Sequence, residues 1–421
     1  MTIYNENKTG YKKTKIGWIP EVWEITRISN IVASIKSGVS VNSTDRTKLN
    51  NEKGILKTSS VYNGIFIPDQ NKAIISVQEL IRARLNPKKD SLLISRMNTP
   101  DLVGACAYVA KTEQDLFIPD RLWLTELNNK IVNARWFNFL LNSQYYRFQI
   151  KNRATGTSNS MKNISKESFT GIKIPLPPLA EQQKIAEILS VWDKAIEHIQ
   201  NLIGQLKLRK KGLMQQLLIG KSRLPGFSGE WESCPLGSYI SATLRPVDKP
   251  SFNYLALGLR SHGKGVFHKE NFDPDSIAMD TLYEVKEYDL IVNITFAWEQ
   301  AIAIVDKQDE GGLVSHRFPT FTFNEGKAFP HFFRYFVLQP RFKYLLNLIS
   351  PGGAGRNRVM SKTDFPKLEV KIPPYMEQQA IAKVIAAADE EIQIHESYLS
   401  QLQTQKKGLM QQLLTGQKRV N

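Results

Sequence analysis

The side chains best suited to chemistry in this chain are hydrogen-bonders on loops rather than catalytic pairs. The loop PGGAGRNR sets Arg356, Asn357 and Arg358 behind three glycines, and Lys362 follows. Glycine lets a backbone come close to a phosphate. Arginine and lysine match guanine edges and phosphates, and asparagine matches adenine. A second loop, ATGTSNSMKN, offers Thr155, Thr157, Ser158, Asn159 and Lys162, which suit phosphate contacts. Of the same type are Ser59 and Asn63 in one turn, Arg96 with Asn98, Arg121, then Arg260, His262 and Lys264, and the pair His316 and Arg317. Such a set is suited to gripping a polyanion.

Two other fragments have a catalytic outline. IPPY at residues 372–375 resembles the (Asp/Asn/Ser)-Pro-Pro-(Tyr/Phe) motif of adenine methyltransferases, whose polar first residue binds the target amine. Ile372 stands at that position, and no strand–glycine loop for S-adenosylmethionine precedes it, so the fragment reads as the start of a helix. Pro274-Asp275 followed by Glu284-Val285-Lys286 has the outline of a PD-(D/E)xK nuclease core, but the matching stretch of the first half lacks it. There is no GxxxxGK(S/T) phosphate loop, which assigns ATP-driven work to another polypeptide. The two cysteines, Cys106 and Cys234, make neither a disulfide framework nor a metal cluster. No catalytic residue and no metal ligand is assigned.

The elements that must position the loops show as an ungapped repeat, 196 positions apart, at residues 177–220 and 373–416. About half its positions are identical, and KKGLMQQLL recurs letter for letter. Each copy opens on Pro-Pro, which suits a helix start, with Glu181 or Glu377 in the first turn and Gly220 or Gly416 as the C-terminal cap. Mostly apolar positions alternate by fours and threes: Ile185, Leu189, Trp192, Ile196, Ile199, Ile203, Leu206, Lys210, Leu213 and Leu217, then Ile381, Ile385, Ala388, Ile392, His395, Leu399, Leu402, Lys406, Leu409 and Leu413. A 3.5-residue repeat held this long is a coiled-coil seam, and 40 residues of helix span about 60 Å. Two such helices most simply pair with each other, and an antiparallel pairing would set the preceding modules at opposite ends of a rod. Gly204 lies inside the first helix without a firm account from the sequence; close helix approach would be one reason for it.

The boundaries are residues 1–172 and 223–371 for the modules, and 173–222 and 372–421 for the helical regions. Both modules open on a tryptophan-containing turn (Trp23 and Trp231) and carry an apolar strand after a charged turn, KKDSLLISRM and KEYDLIVNIT. The expected fold is α+β: two mixed α/β modules, divergent copies of one fold, separated by two long antiparallel helices in a pseudo-twofold tandem repeat. The net charge is +16. Residues 1–172 carry 25 Lys and Arg against 14 Asp and Glu, whereas residues 225–371 balance at 17 and 17. A basic excess attracts nucleic acid, so in the neutral second module phosphate contacts need a local cluster such as 356–362. No run of 18 apolar residues and no apolar N-terminal core is present, so a reduced, cytoplasmic location away from membranes is expected.

The order module, Gly/Ser/Asn loop, IPLPPLAEQQKIAEIL helix, second module, second loop, second EQQ helix resembles the specificity subunit of type I restriction–modification systems over essentially the whole chain. The resemblance implies that each module is a target recognition domain reading one half of a bipartite, gapped site on double-stranded DNA. It also implies that the helices set the spacing and hold two adenine-methyltransferase subunits, to which restriction subunits join. S-adenosylmethionine, ATP and Mg would belong to those partners, and this chain would bind no cofactor. The modules differ, so the site should be asymmetric. The helices are near-copies and would offer two equivalent surfaces to one kind of partner. The expected partner-facing residues are Glu181, Gln182, Gln183, Lys211, Gln215 and Gln216, with Glu377, Gln378, Gln379, Lys407, Gln411 and Gln412.

Overall fold

A computed structural model of the chain describes residues 9–158, 160–353 and 358–420. The chain divides into two units, residues 1–199 with 398–421, and residues 200–397. Each unit holds one module, the first part of the long helix that follows it, and the last part of the other long helix. Among the described residues no helix is long and apolar enough to cross a membrane.

In the first unit a six-stranded sheet runs Val32–Ser37, Leu122–Leu127, Ser91–Ser95, Cys106–Val109, Gly64–Phe66, Val61–Tyr62. All neighbours are antiparallel except Cys106–Val109 with Gly64–Phe66. Every residue of Ser91–Ser95 is buried. Successive side chains of a strand point to opposite faces, and here both faces are covered. Leu92 and Ile94 pack with Trp136 and Phe137 of helix Ala134–Asn142, while Leu93 joins Val109, Leu122 and Leu124 on the other side. The second unit has a four-stranded antiparallel sheet, Ile240–Thr243, Thr320–Phe323, Leu290–Val292, Ile302–Ile304, and a mixed five-stranded one. Its helices Pro330–Phe336 and Pro340–Leu348 match Ala134–Asn142 and Gln144–Arg153. The apolar strands foreseen after the charged turns are Ser91–Ser95 and the fully buried Leu290–Val292.

The long helices run Leu179–Leu217 and Tyr375–Leu414. Every seam position named above is buried or half-buried. Ion pairs across the seam run Glu181–Arg419 and Asp193–Lys406 in the first unit. In the second they run Glu377–Arg223, Asp389–Lys210, Glu391–Arg209 and Glu396–Lys207. Partners advance along one helix as they recede along the other, so the segments are antiparallel. Gly416 takes φ 71°, and a Cβ there would lie 2.5 Å from Pro20, so only glycine fits. Close approach is not the reason for Gly204, because a Cβ there would meet nothing within 4 Å.

The first turn of each helix is locked to its module by one glutamine. Gln182 Oε1 accepts the Asn133 N–H at 2.8 Å, while its Nε2 donates to the Ile131 and Pro177 carbonyls. Gln378 repeats this with the Phe329 N–H at 2.8 Å and the Lys327 and Pro373 carbonyls. Both glutamines are 0% exposed. The neighbouring glutamates are held as firmly. Glu181 accepts from the Trp23 indole N–H at 2.8 Å and from Arg419 at 2.6 and 2.9 Å. Glu377 accepts from the Trp231 indole N–H at 3.1 Å and from Arg223, twice, at 2.6 Å. The IPPY fragment is accordingly the start of the second helix, with Ile372 buried.

Gln182→Leu or Gln378→Leu leaves one N–H and two carbonyls without their partner and is expected to cost about 2–4 kcal/mol. Gln183→Leu, at an exposed neighbour, should stay within about 0.5 kcal/mol; thermal unfolding of the three variants checks the contrast. Gly204→Ala, on an exposed helix face, is expected to stabilise by about 1 kcal/mol, read as a raised unfolding midpoint.

Candidate nucleic-acid interface

In the first unit the structure gathers several of the candidate residues around one backbone clamp. The Arg96 N–H donates to the Arg121 carbonyl at 3.0 Å, and the Ile164 N–H donates to the Arg96 carbonyl at 2.9 Å. Strand Met97–Asn98 then pairs with Met161–Asn163, placing Asn98 opposite Lys162, and Thr155–Ser158 adds the third strand. Gly156 sits at φ 153° with its would-be Cβ 2.7 Å from the Met161 carbonyl, so the hairpin needs glycine there. Lys162 Nζ donates back to the Gly156 carbonyl at 2.9 Å. The Arg121 side chain is exposed. The Arg96 side chain is half-buried, and among the described residues its Nε has no partner. Ser59 lies apart from this clamp, donating to Gln70, and Asn63 lines a cleft with Asp101 and Arg147. Asn159 lies outside the described residues, as do the side chains of Thr157 and Ser158.

The second unit repeats the clamp. The Ile294 N–H donates to the Arg317 carbonyl at 3.0 Å, and the Met360 N–H donates to the Ile294 carbonyl at 2.9 Å. Lys362 Nζ donates to the His316 carbonyl at 2.7 Å. The turn holding Arg260, His262 and Lys264 docks beside it, because the His262 N–H donates to the Glu299 carbonyl at 2.7 Å. His262 takes φ 64°, which leaves it, with Lys264, exposed at the tip of the turn. The Arg260 guanidinium lies over the Phe267 ring.

Arg358 is a correction to the expected reading set. Its Nε donates to the Ser350 carbonyl at 3.0 Å, and its terminal nitrogen donates to the Asn347 carbonyl and to Oδ1 of that residue. Its guanidinium also lies 5.1 Å above the Trp298 ring. With these contacts made, it braces the loop rather than reaching outward. Arg356 and Asn357 lie outside the described residues.

The expected partner face also divides. Glu181, Gln182, Glu377 and Gln378 are at most 6% exposed and are used inside the fold, so they offer no outer surface. Gln183, Lys211, Gln215, Gln216, Lys407, Gln411 and Gln412 are exposed, and Gln379 is half-buried. Beside Lys407, Met410 and Gln411 lies an open cleft of about 620 Å³ walled by Tyr145 and Phe148. Phe148 is 59% exposed, and Tyr344, at the matching position of the second module, is 58% exposed. Arg223 and Arg419 were not foreseen, although each stands three residues beyond its capping glycine, a match visible once the repeat is extended.

Among the described residues, the cysteine and the acidic fragment singled out in the sequence are not built into a reactive group. Cys106 is fully buried, and burial pushes its thiol up to about 12, which leaves it inert as a nucleophile. Asp275 lies in a single 3₁₀ turn, Pro274–Ser276, its N–H donating to the Asp273 carboxylate. Among the described residues no group of three His, Cys, Asp or Glu side chains is placed to hold a metal ion.

Arg358→Ala is expected to destabilise the protein by about 1–2 kcal/mol through the lost brace. Arg317→Ala, exposed and unbraced, should change stability by no more than about 0.5 kcal/mol. Thermal unfolding of both variants separates the two roles.

Comparison with known proteins places these features in context. The family model of the type I restriction modification DNA specificity domain matches twice, over residues 20–208 and 246–404. The putative type I restriction enzyme MjaX specificity subunit of Methanocaldococcus jannaschii is 26% identical over 440 residues, covering 100% of this chain and 99% of that protein. The MjaVIII specificity subunit of the same organism is 26% identical over 451 residues, covering 100% and 98%. The crystal structure of the type I restriction–modification S subunit from M. genitalium shares the fold at a TM-score of 0.56 and 14% identity, covering 98% of this chain and 99% of that one.

Proposed function

The chain belongs to the family of type I restriction–modification DNA specificity proteins, and from that premise we propose that it reads a bipartite, asymmetric, gapped site on double-stranded DNA, one half with each module. The observation that carries this reading is a repeated scaffold with divergent display. Both units keep the same glutamine latch and the same backbone clamp, yet Arg96 in one stands where Ile294 stands in the other. Two readers built alike but faced differently suit two different half-sites. Specificity by base contact also needs donors and acceptors on the surface. His262, Lys264 and His316 supply them in the second unit, and the half-buried Arg96 and Asn98 in the first.

The partner side of the proposal rests on KKGLMQQLL. Its off-seam residues Lys211, Gln215 and Gln216 in one unit, and Lys407, Gln411 and Gln412 in the other, are exposed and identical. Residues that only packed the seam would have no need to match outside it. Each set lies in a unit that also presents an exposed aromatic, Tyr344 or Phe148. These are two equivalent docking faces for two copies of one adenine-methyltransferase subunit, and restriction subunits join through that partner. S-adenosylmethionine supplies the methyl group, and ATP with Mg drives restriction, on those partners. This chain contributes the address and no catalytic group.

Sequencing of adenine methylation in cells carrying this chain and its partner methyltransferase, against cells lacking only this chain, tests the reading. The expected result is a gapped, asymmetric motif that needs both genes. Exchange of residues 1–172 for those of another family member should change one half of the motif alone. An active partner with no chain-dependent methylation would overturn the proposal in favour of a DNA-binding protein that works alone.

A further inference from the structure

We propose that Arg121 and Arg317 are equivalent phosphate anchors, one in each unit, and that the residue clamped against each, Arg96 or Ile294, is where the two readers diverge. The inference rests on the DNA-reading function proposed above. Arg121 and Arg317 share more than type. Each is the third residue of a turn closed by an i to i+3 bond, Leu122 N–H to the Pro119 carbonyl and Phe318 N–H to the Ser315 carbonyl. Each gives its carbonyl to the clamp at 3.0 Å. Both side chains are exposed, and among the described residues neither guanidinium has a hydrogen-bond or ion-pair partner. The backbone is held while the charge is left unspent.

The surroundings of the two arginines differ. The residue before them is Asp120 in one unit and His316 in the other, and the clamped residue is Arg96 or Ile294. A side chain kept the same on a surface whose neighbours have changed serves what both half-sites have in common. Different sequences share their phosphates, so a phosphate contact fits and a base contact does not. It also gives the charge-balanced second module a cation that has no ion-pair partner among the described residues, held at a fixed place. Arg96 has the opposite character. Its stem is sunk in the protein, with Nε unpartnered among the described residues, whereas Ile294 is 9% exposed and brings no side-chain donor. Arg96 therefore gives the first unit a half-buried guanidinium that the second lacks, and its terminal nitrogens suit the acceptors of guanine.

The test uses the full chain assembled with its methyltransferase subunits, and duplexes carrying the methylated motif or a scrambled sequence. Arg121→Ala and Arg317→Ala are each expected to weaken binding roughly tenfold on both duplexes and to lower the salt slope by about one, with the methylation motif unchanged. Arg121→Lys and Arg317→Lys should restore most of the loss, because a point charge suffices for phosphate and fails a bidentate base contact. Arg96→Ile should relax the motif at one position, in the half assigned to the first module. A changed motif in Arg121→Ala or Arg317→Ala, or unaltered affinity and salt slope, would overturn the anchor assignment. An unchanged motif in Arg96→Ile would overturn the reader assignment. If the wild-type assembly itself shows no chain-dependent motif, the proposed function fails; if only the variants depart from expectation, this inference fails alone.

Discussion

A carboxylate removed from water and shared by an indole and a guanidinium is the interaction on which each unit depends. Glu377 is 0% exposed and Glu181 6%. Taking a carboxylate out of water costs several kcal/mol, which only close, well-aligned donors offset. Here three donors do so: Trp231 with two nitrogens of Arg223, and Trp23 with two of Arg419. The donors come from different parts of the chain. The tryptophan belongs to the module's opening turn, the glutamate to the first turn of one helix, and the arginine to the tail of the other. One carboxylate thus ties three segments, and a one-turn slip of either helix, about 5.4 Å, would leave the charge buried without its arginine.

The same logic extends along the seam. Lys210 and Lys406 occupy positions where an apolar residue is expected, yet each finds an aspartate across the helix pair and an aromatic ring beside it, Tyr335 for one and Phe139 for the other. Leucine at these sites would pack in several registers. A lysine that needs its aspartate packs in one. The loops that display Arg121 and Arg317 are carried on modules whose first attachment to the helices is this set of paired charges and the glutamine beside them.

Much of this was legible in the sequence because it is local and periodic. The seam follows from apolar spacing, the helix ends from Pro-Pro and glycine, and the duplication from KKGLMQQLL. The roles of Glu181, Gln182, Glu377 and Gln378 were not. Charged and amide side chains in a first helical turn normally face solvent, and only partners such as Trp23, 158 residues away from Glu181, turn them inward. Arg358 misled for the same reason. In a glycine-rich loop it has the look of a reader, and nothing nearby in sequence announces that Trp298 lies beneath it. By contrast Arg96, Asn98, Arg121 and Lys162 are scattered along the chain, and strand pairing brings them together.

The hydrogen bond from the Tyr11 hydroxyl to the Gly416 carbonyl spans 405 positions of sequence, so nearly the whole chain must be made before it can form. The first unit is begun first on the ribosome and finished after the second, because its closing residues, 398–421, follow residues 200–397. At ~5–20 residues per second, the roughly 200 residues between the first helix's midpoint and that tail take ~10–40 s to appear. Throughout this interval Glu181 and the seam beside it lack Arg419 and Lys406, whereas the second unit has every segment it needs as soon as residue 397 appears. Birth order and completion order are therefore reversed, and the nascent chain spends that time with one half-built face open to chaperones or to premature partners.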